Sequence, residues 1–435
     1  MRRKSVLVVI HSVEGNAHVW QGQRRDMDSY DVVIAGAGPA GAQCARDLAG
    51  RGYDVVVLET EPEADFPKQS NKSTGGTFPS MLTAFGIPDS VVMQFTDTVV
   101  LESPSNHYVS DQPGAVLEFA DFKRFLVEDG RDRGAEYRFD ARVSGPIMES
   151  GEVRGVRYDG DAEVYGDIII DATGPAAPLA RQLGVTDLQR NHQAIGIEFE
   201  YEGVELDHPD YADLHRAMML RLDHRIAPGG YSWIFHTGED TAKVGVCYIQ
   251  NTSHRRRAVD GMTIDDYLDG WIDRDPRFAH AERIEAKQHR GSAHIQPPTG
   301  LSTDNFMAIG DTVPTIDPLW GEGIHTGMRS ARAAAAAADH CLTRSDRDTS
   351  AARLSVYDTL WHREAAPNMR RRLLLTELLY LAGNERYDRF MRDLDRADED
   401  ILARANQGDW AAMLRLLHLS DAPMLARLAR SRIGS

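Results

Sequence analysis

From Tyr30 onward the chain alternates short apolar runs with polar, glycine-punctuated segments. Residues 31–35 form a β-branched run, a glycine turn follows, residues 40–50 carry helical periodicity, and a second apolar run at 54–58 ends in Glu59. That order predicts a βαβ unit. Two more apolar strands are expected, one ending at Ala172-Thr173-Gly174 and one at Gly310-Asp311, the latter followed by a helix through 328–339. Segments 191–201, 216–223, 229–236 and 241–249 are rich in β-branched and aromatic residues with turn residues between them, which predicts an antiparallel sheet within 185–298. After 341 the pattern turns helical, and Leu373, Leu374, Leu378 and Leu381 recur near a period of 3.6 beside Arg370, Arg371 and Arg372. A basic amphipathic helix of this kind suits a membrane surface, although such a stripe is more often core.

The fold expected is therefore α/β: a discontinuous nucleotide-binding domain at 30–184 with 299–340, an antiparallel substrate or cap domain at 185–298, and a helical region at 341–435. Residues 1–29 stand apart. Their apolar piece at 6–10 falls short of a signal-peptide core of about 7–15 residues, and Met27 lies just ahead of the first strand, so this stretch is expected to be a disordered extension.

Composition narrows the function. The longest apolar runs fall far short of the roughly 20 residues that span a bilayer. With 49 basic and 66 acidic residues the formal charge is −17; without a basic block, nucleic acid is not a partner. Only six of the basic residues are lysine, and arginine bias with an acidic surplus fits a high-salt (halophile) or GC-rich source. Cys44, Cys247 and Cys341 are too few and too widely spaced for a disulfide framework or a thiolate metal site. No metal ligand set is proposed, and a reducing, cytoplasmic setting is expected.

The chemistry begins in the turn Gly36-Ala37-Gly38-Pro39-Ala40-Gly41. Gly36 permits the tight turn, Gly38 lets the backbone approach a pyrophosphate, and Gly41 allows the helix to pack on the strand, while the helix N-terminus offers N–H groups to phosphate. Glu59 stands where an acid accepts from ribose hydroxyls. No second GxGxxG occurs. The order of these strand ends resembles flavoproteins of the p-hydroxybenzoate hydroxylase and glutathione reductase superfamily, in which the aspartate of the Gly-Asp pair holds the ribityl chain. That resemblance implies one FAD, with Asp311 in the aspartate's place. Ala40, at the start of the helix after the glycine turn, Gly174, at the end of the second strand, and Thr74 and Gly75 are also expected to contact the cofactor. The turn Pro318-Leu319-Trp320-Gly321-Glu322-Gly323-Ile324 opens the following helix, so Gly321, Gly323 and Ile324 are expected at the flavin's pyrimidine edge.

With these motifs in view, the chain resembles the geranylgeranyl reductase family, which includes archaeal enzymes of membrane-lipid biosynthesis that saturate digeranylgeranylglycerophospholipids. The resemblance covers about residues 30–400 and rests on the βαβ unit, the loop Asn71-Lys72-Ser73-Thr74-Gly75-Gly76, the segment Tyr231-Ser232-Trp233-Ile234-Phe235 and the Pro318–Ile324 turn. It implies an FAD-dependent oxidoreductase acting on CH–CH groups of an isoprenoid lipid, reduced by an external donor, either reduced ferredoxin or NAD(P)H. Three positions depart from the family. Thr74 stands where a cysteine is common, so no thiol is expected at this site; His236 replaces a proline; and Phe119 replaces an arginine on the helix at 119–134.

A strand at 231–235 would point Tyr231, Trp233 and Phe235 to one face, an apolar wall for a prenyl chain. An isolated trisubstituted alkene needs a proton as well as a hydride. Tyr231, His236 and His325 are candidate acids, a water held by Thr74 is another, and Tyr231, Trp233 and Trp320 are candidates for stabilising positive charge. Lys68 and Lys72 are candidates for a lipid or FAD phosphate. Two other readings remain: a flavin monooxygenase or halogenase on this fold, and a non-catalytic prenyl-lipid carrier.

Overall fold

The computed structural model describes residues 28–68, 75–406 and 409–433. The chain runs β1 (Ser29–Ala35), α1 (Pro39–Ala49), β2 (Val55–Leu58), α2 (Phe119–Asp132), β3 (Ala162–Asp171), β4 (Gln193–Glu202), β5 (Gly230–Gly238), β6 (Thr241–Ile249), β7 (Phe306–Ala308), α3 (Ile324–Leu342) and α4 (Met369–Leu381), with shorter elements between.

In the first sheet β7, β3, β1, β2 and Glu136–Arg138 lie side by side and parallel. Both faces of its centre are covered, so the strands read as unbroken apolar runs: Val32, Val33, Ile34, Val56 and Val57 are fully buried. α3 packs against α1. Its alanines at 333–335, 337 and 338 are buried, and their small side chains allow close packing. The strand ends of β1, β3 and β7 thus meet at one edge, which is where this class of sheet binds ligands.

The second sheet has seven strands in the order Glu282–His294, β4, β6, β5, Ala217–Arg221, Thr98–Glu102, His107–Ser110. One face packs on the helix Ile264–Ile272 through Tyr267, Leu268 and Trp271. The other turns toward the first sheet and builds the cavity described below. A small three-stranded sheet, Gly76–Thr77, Gly114–Leu117 and Val92–Thr96, lies between them; there Lys243 Nζ, from β6, donates to the Leu117 carbonyl at 2.9 Å.

Two boundaries differ from the sequence expectation. β1 begins at Ser29, paired with Tyr165, and Asp28 is ion-paired with Arg138, so these two residues belong to the fold. Residues 98–110, assigned above to the nucleotide-binding domain, supply two strands of the second sheet, and Thr98–Glu102 pairs in parallel with Ala217–Arg221. That sheet is therefore mixed. The rest of the expected N-terminal extension, residues 1–27, lies outside the described residues.

Beyond residue 341 the chain is helical. On α4, Leu373 and Leu378 are buried and Leu374 half-buried, while Arg370 and Arg371 are exposed. Its leucine stripe faces the core, and Arg372 Nη2 donates to Asp317 Oδ1 at 2.9 Å, tying α4 to the 317–324 turn. Among the described residues no helix is long and apolar enough to cross a membrane.

Candidate active site

A cavity of about 1010 Å³ lies between the two sheets. Its first end is the βαβ turn. Gly36 has φ +100°, and a Cβ there would lie 2.6 Å from the Ala172 carbonyl oxygen, so only glycine fits. Gly38 precedes Pro39, the first helical residue of α1, and has open space where its Cβ would be. Gly41 does not face the cavity. A Cβ on it would meet the Gly36 carbonyl oxygen at 2.0 Å, so its absence lets α1 lie against β1. Glu59, buried at the end of β2, accepts from Ala37 N–H at 2.8 Å and from Glu61 N–H at 3.0 Å. These bonds fix its carboxylate at the cavity wall, where further lone pairs can accept from a ribose.

α2 presents Phe119 and, one turn on, Lys123 to this end of the cavity. The family arginine is missing at 119, but a cation stands on the same helix; Lys123 Nζ lies 4.8 Å from the Phe66 ring centroid.

The middle of the cavity is formed where β3 and β7 end. Gly174 N–H donates to Thr312 Oγ1 at 3.1 Å, joining the two strand ends. Gly310 adopts φ +59° and turns Asp311 to the cavity wall. Its half-buried position in the cavity wall pushes the Asp311 carboxyl up to about 6. A polyol chain placed there would offer this acid hydroxyl donors.

The turn ahead of α3 closes the far end. Asp317 Oδ1 accepts from the N–H groups of Leu319 at 2.9 Å and Trp320 at 3.2 Å, and the Asp317 N–H donates to the Glu322 carbonyl at 2.9 Å. Gly321, Gly323 and Ile324 thereby line the cavity at the N-terminus of a 19-residue helix. Such a terminus favours negative charge by about 0.3–1 kcal/mol, more where partly buried. These residues fit FAD along its length: backbone approach at Gly38, an acid for the ribose, Asp311 for the ribityl chain, and a helix dipole for the flavin.

The second sheet supplies the opposite wall. Alternation along β5 points Tyr231, Trp233 and Phe235 into the cavity. Trp233 Nε1–H donates to Glu198 Oε2 at 2.7 Å, and Tyr231 Oη lies 3.5 Å from the Trp320 carbonyl oxygen. Trp320 also lines the space.

Four expected site residues are placed otherwise. His236 falls on the other face of β5, where Nδ1 accepts from the Arg216 N–H at 2.8 Å. His325 lies outside the cavity wall, edge-on to Phe85 with ring centroids 5.9 Å apart; burial and the nearby Arg329 and Arg332 hold it near 4, hence neutral. Neither histidine is positioned as an acid toward the cavity. Gly75 crosses Leu117 rather than facing the cavity. Lys68 is exposed and away from it. Thr74 and Lys72 lie outside the described residues.

Among the wall residues that the sequence does not single out, besides Lys123, are Glu322, Cys247 and Tyr380. Cys247 pairs with Tyr231 across β5 and β6, so a thiol lines the cavity on the second sheet. Burial pushes it up to about 12, which keeps it protonated. Among the described residues no group of three or more His, Cys, Asp or Glu is arranged to hold a metal ion.

Residues 29–359 match a family model described as an FAD binding domain. The chain is 66% identical over 403 residues to digeranylgeranylglycerophospholipid reductase of Haloferax volcanii, covering 93% of this chain and 98% of that relative. A crystal structure of a geranylgeranyl bacteriochlorophyll reductase-like protein from Thermoplasma acidophilum superposes with a TM-score of 0.78 at 22% identity, covering 93% of this chain and 99% of that one. The flavin-dependent brominase Bmp2 superposes with a TM-score of 0.69 at 20% identity, covering 88% and 94%. At such identities these two likenesses concern the fold. Fold and cavity together define an FAD-dependent oxidoreductase. Identity of 66% across 93% of the chain narrows that class. The chain belongs to the digeranylgeranylglycerophospholipid reductase family.

Proposed function

We propose that this protein saturates carbon–carbon double bonds in the geranylgeranyl chains of archaeal membrane-lipid precursors. The observation that carries the reading is the continuity of one cavity, from the glycine turn at Gly36 to the ring face of Tyr231, Trp233 and Phe235. FAD held there would supply the hydride chemistry when reduced. The chain's own part is to hold the cofactor through Gly36, Gly38, Glu59, Asp311 and the 321–324 turn, and to offer an apolar wall to the hydrocarbon. The rings of Tyr231, Trp233 and Trp320 would stabilise positive charge developing on the alkene, worth about 0.5–2 kcal/mol each.

Electrons come from outside the chain, from reduced ferredoxin or NAD(P)H, since the sequence carries a single dinucleotide fingerprint. A peripheral stay at the inner membrane face, through the basic side of α4 at Arg370 and Arg371, would bring a lipid substrate to the cavity. Incubating reduced, FAD-loaded protein with digeranylgeranylglycerophospholipid tests the reading. A mass gain of two hydrogens per double bond supports it. No gain with this and several other prenyl lipids sinks it, and an oxygenated or halogenated product points to the monooxygenase or halogenase chemistry known on this fold.

A further inference from the structure

Saturating a double bond requires a proton besides the hydride, and neither histidine singled out in the sequence reaches the cavity. Glu322 does. It stands between Gly321 and Gly323 in the turn that opens α3. Its Oε1 accepts the His325 N–H at 2.6 Å, which orients the carboxyl over the first turn of the helix. On the reading of function given above, we propose that Glu322 is the acid of this site, taking up a proton when the bound FAD is reduced and giving it to the alkene carbon.

The surroundings suit that task. Burial pushes the Glu322 carboxyl up to about 7, against the His325 N–H bond, which favours the carboxylate; Asp317 adds to the rise, while Arg329 on α3 and Arg372 on α4 oppose it. Tyr231 and Cys247 of the second sheet and Tyr380 of α4 line the same cavity, and burial keeps all three protonated; Asp311, His289 and Arg290 line it as well. At neutral pH Glu322 is therefore poised between its two forms, where a general acid works best. Reduction adds a negative charge to the same cavity, and a like charge raises a neighbouring acid further. The balance closes. The external donor would supply two electrons and solvent two protons, one carried in the hydride and one held by Glu322; hydride would add to one alkene carbon, the Glu322 proton would form the C–H bond at the other as the π bond breaks, and Glu322 would be left as carboxylate.

The test is a spectroelectrochemical titration of the FAD-loaded protein and of Glu322→Gln across pH 7.5–9, together with product formation. Each proton coupled to a two-electron reduction shifts the equilibrium tenfold per pH unit, about 30 mV. Wild type is expected to show two protons and Glu322→Gln one, with product formation falling by about 100-fold or more. Glutamine keeps the acceptor for the His325 N–H, so the variant should retain FAD. Glu322→Asp should restore the second proton and part of the activity. A single proton in wild type, or two in Glu322→Gln, overturns the proposal, as does wild-type product formation by Glu322→Gln. If wild type itself saturates no prenyl lipid, the substrate reading and the donor role fall together, whereas a wild-type protein that saturates lipid while failing the Glu322 comparisons overturns only the inference.

Discussion

The Tyr231 hydroxyl occupies the space that a side chain on Gly321 would need: a Cβ built there lies 2.1 Å from Tyr231 Oη. Gly321 also has φ +68°, a conformation costly for any L side chain. The aromatic wall and the flavin-edge turn are thus fitted to each other at one point. Gly321→Ala should destabilise the protein by about 1–3 kcal/mol. Tyr231→Phe in that background removes the closest atom and leaves the ring Cζ at 3.1 Å. It should recover about 0.5–1 kcal/mol as a coupling energy. Denaturant unfolding of the four proteins measures this, and strictly additive effects would show that the two residues do not touch.

Gly38 and Gly41 look equivalent in the motif but do different things. Gly38 has φ −67° and nothing within 4 Å of a built Cβ. Gly38→Ala should therefore leave flavin-stripped stability within about 0.5 kcal/mol, while FAD retention, read from visible absorbance, falls at least about tenfold because a methyl takes the place of the approaching pyrophosphate. Gly41→Ala drives a methyl into the Gly36 carbonyl and should cost about 1–3 kcal/mol with or without cofactor. Full FAD retention by Gly38→Ala would mean that the pyrophosphate lies elsewhere.

Asp311 makes the flavin-stripped protein sensitive to pH. Its folded-state value of about 6 lies above the ordinary 3.8, so the folded form holds this proton more tightly than the unfolded chain. Its favourable contribution is complete below about pH 4 and is lost as pH rises through about 6. At pH 7.5 the ionised group costs up to about 3 kcal/mol, because each tenfold difference in proton affinity between folded and unfolded chain is worth about 1.4 kcal/mol. Asp311→Asn should raise the melting temperature of flavin-stripped protein at pH 7.5, bring little gain near pH 4, and weaken FAD binding by losing a charge-assisted hydrogen bond to the ribityl chain. An equal gain at both pH values would show that ionisation of this group is not the cause.

What the sequence made legible follows from where the signal lives. Residues 31–35 and 54–58 are readable because a strand buried on both faces must be apolar throughout and must end where glycine turns the chain. Asp311 is readable because it follows such a strand. Residues 98–102 also hold an apolar run at Val99-Val100-Leu101, but their partner is Ala217–Arg221, and no local feature encodes a parallel register across so much chain. The period of two that turns Tyr231, Trp233 and Phe235 to one face sends His236 to the other, so its place away from the cavity is itself legible in the alternation. Glu322 was hidden for the opposite reason. An acid near a helix start reads as an ordinary dipole partner, and only the tie from Arg372 to Asp317 and the roof of the second sheet enclose it.

The aromatic wall depends on a residue with no side chain. Gly245 is the β6 partner of both Trp233 on β5 and Glu198 on β4. A Cβ on it would lie 2.2 Å from the Trp233 ring. The indole therefore lies across Gly245, and this is how its N–H reaches Glu198 two strands away. Gly245→Ala should lift the ring off the sheet, break that hydrogen bond and leave a buried donor and acceptor mismatched, at a cost of about 1–3 kcal/mol. The displaced indole would narrow the prenyl side of the cavity while leaving the glycine turn and Asp311 untouched. FAD content should then stay near wild type while lipid saturation falls, and Trp233→Phe in the same background, having no indole to displace, should recover part of the loss. Equal loss of FAD and of lipid turnover in Gly245→Ala would show that the two ends of the cavity are not separable, and the division of labour between cofactor cradle and hydrocarbon wall would have to be abandoned.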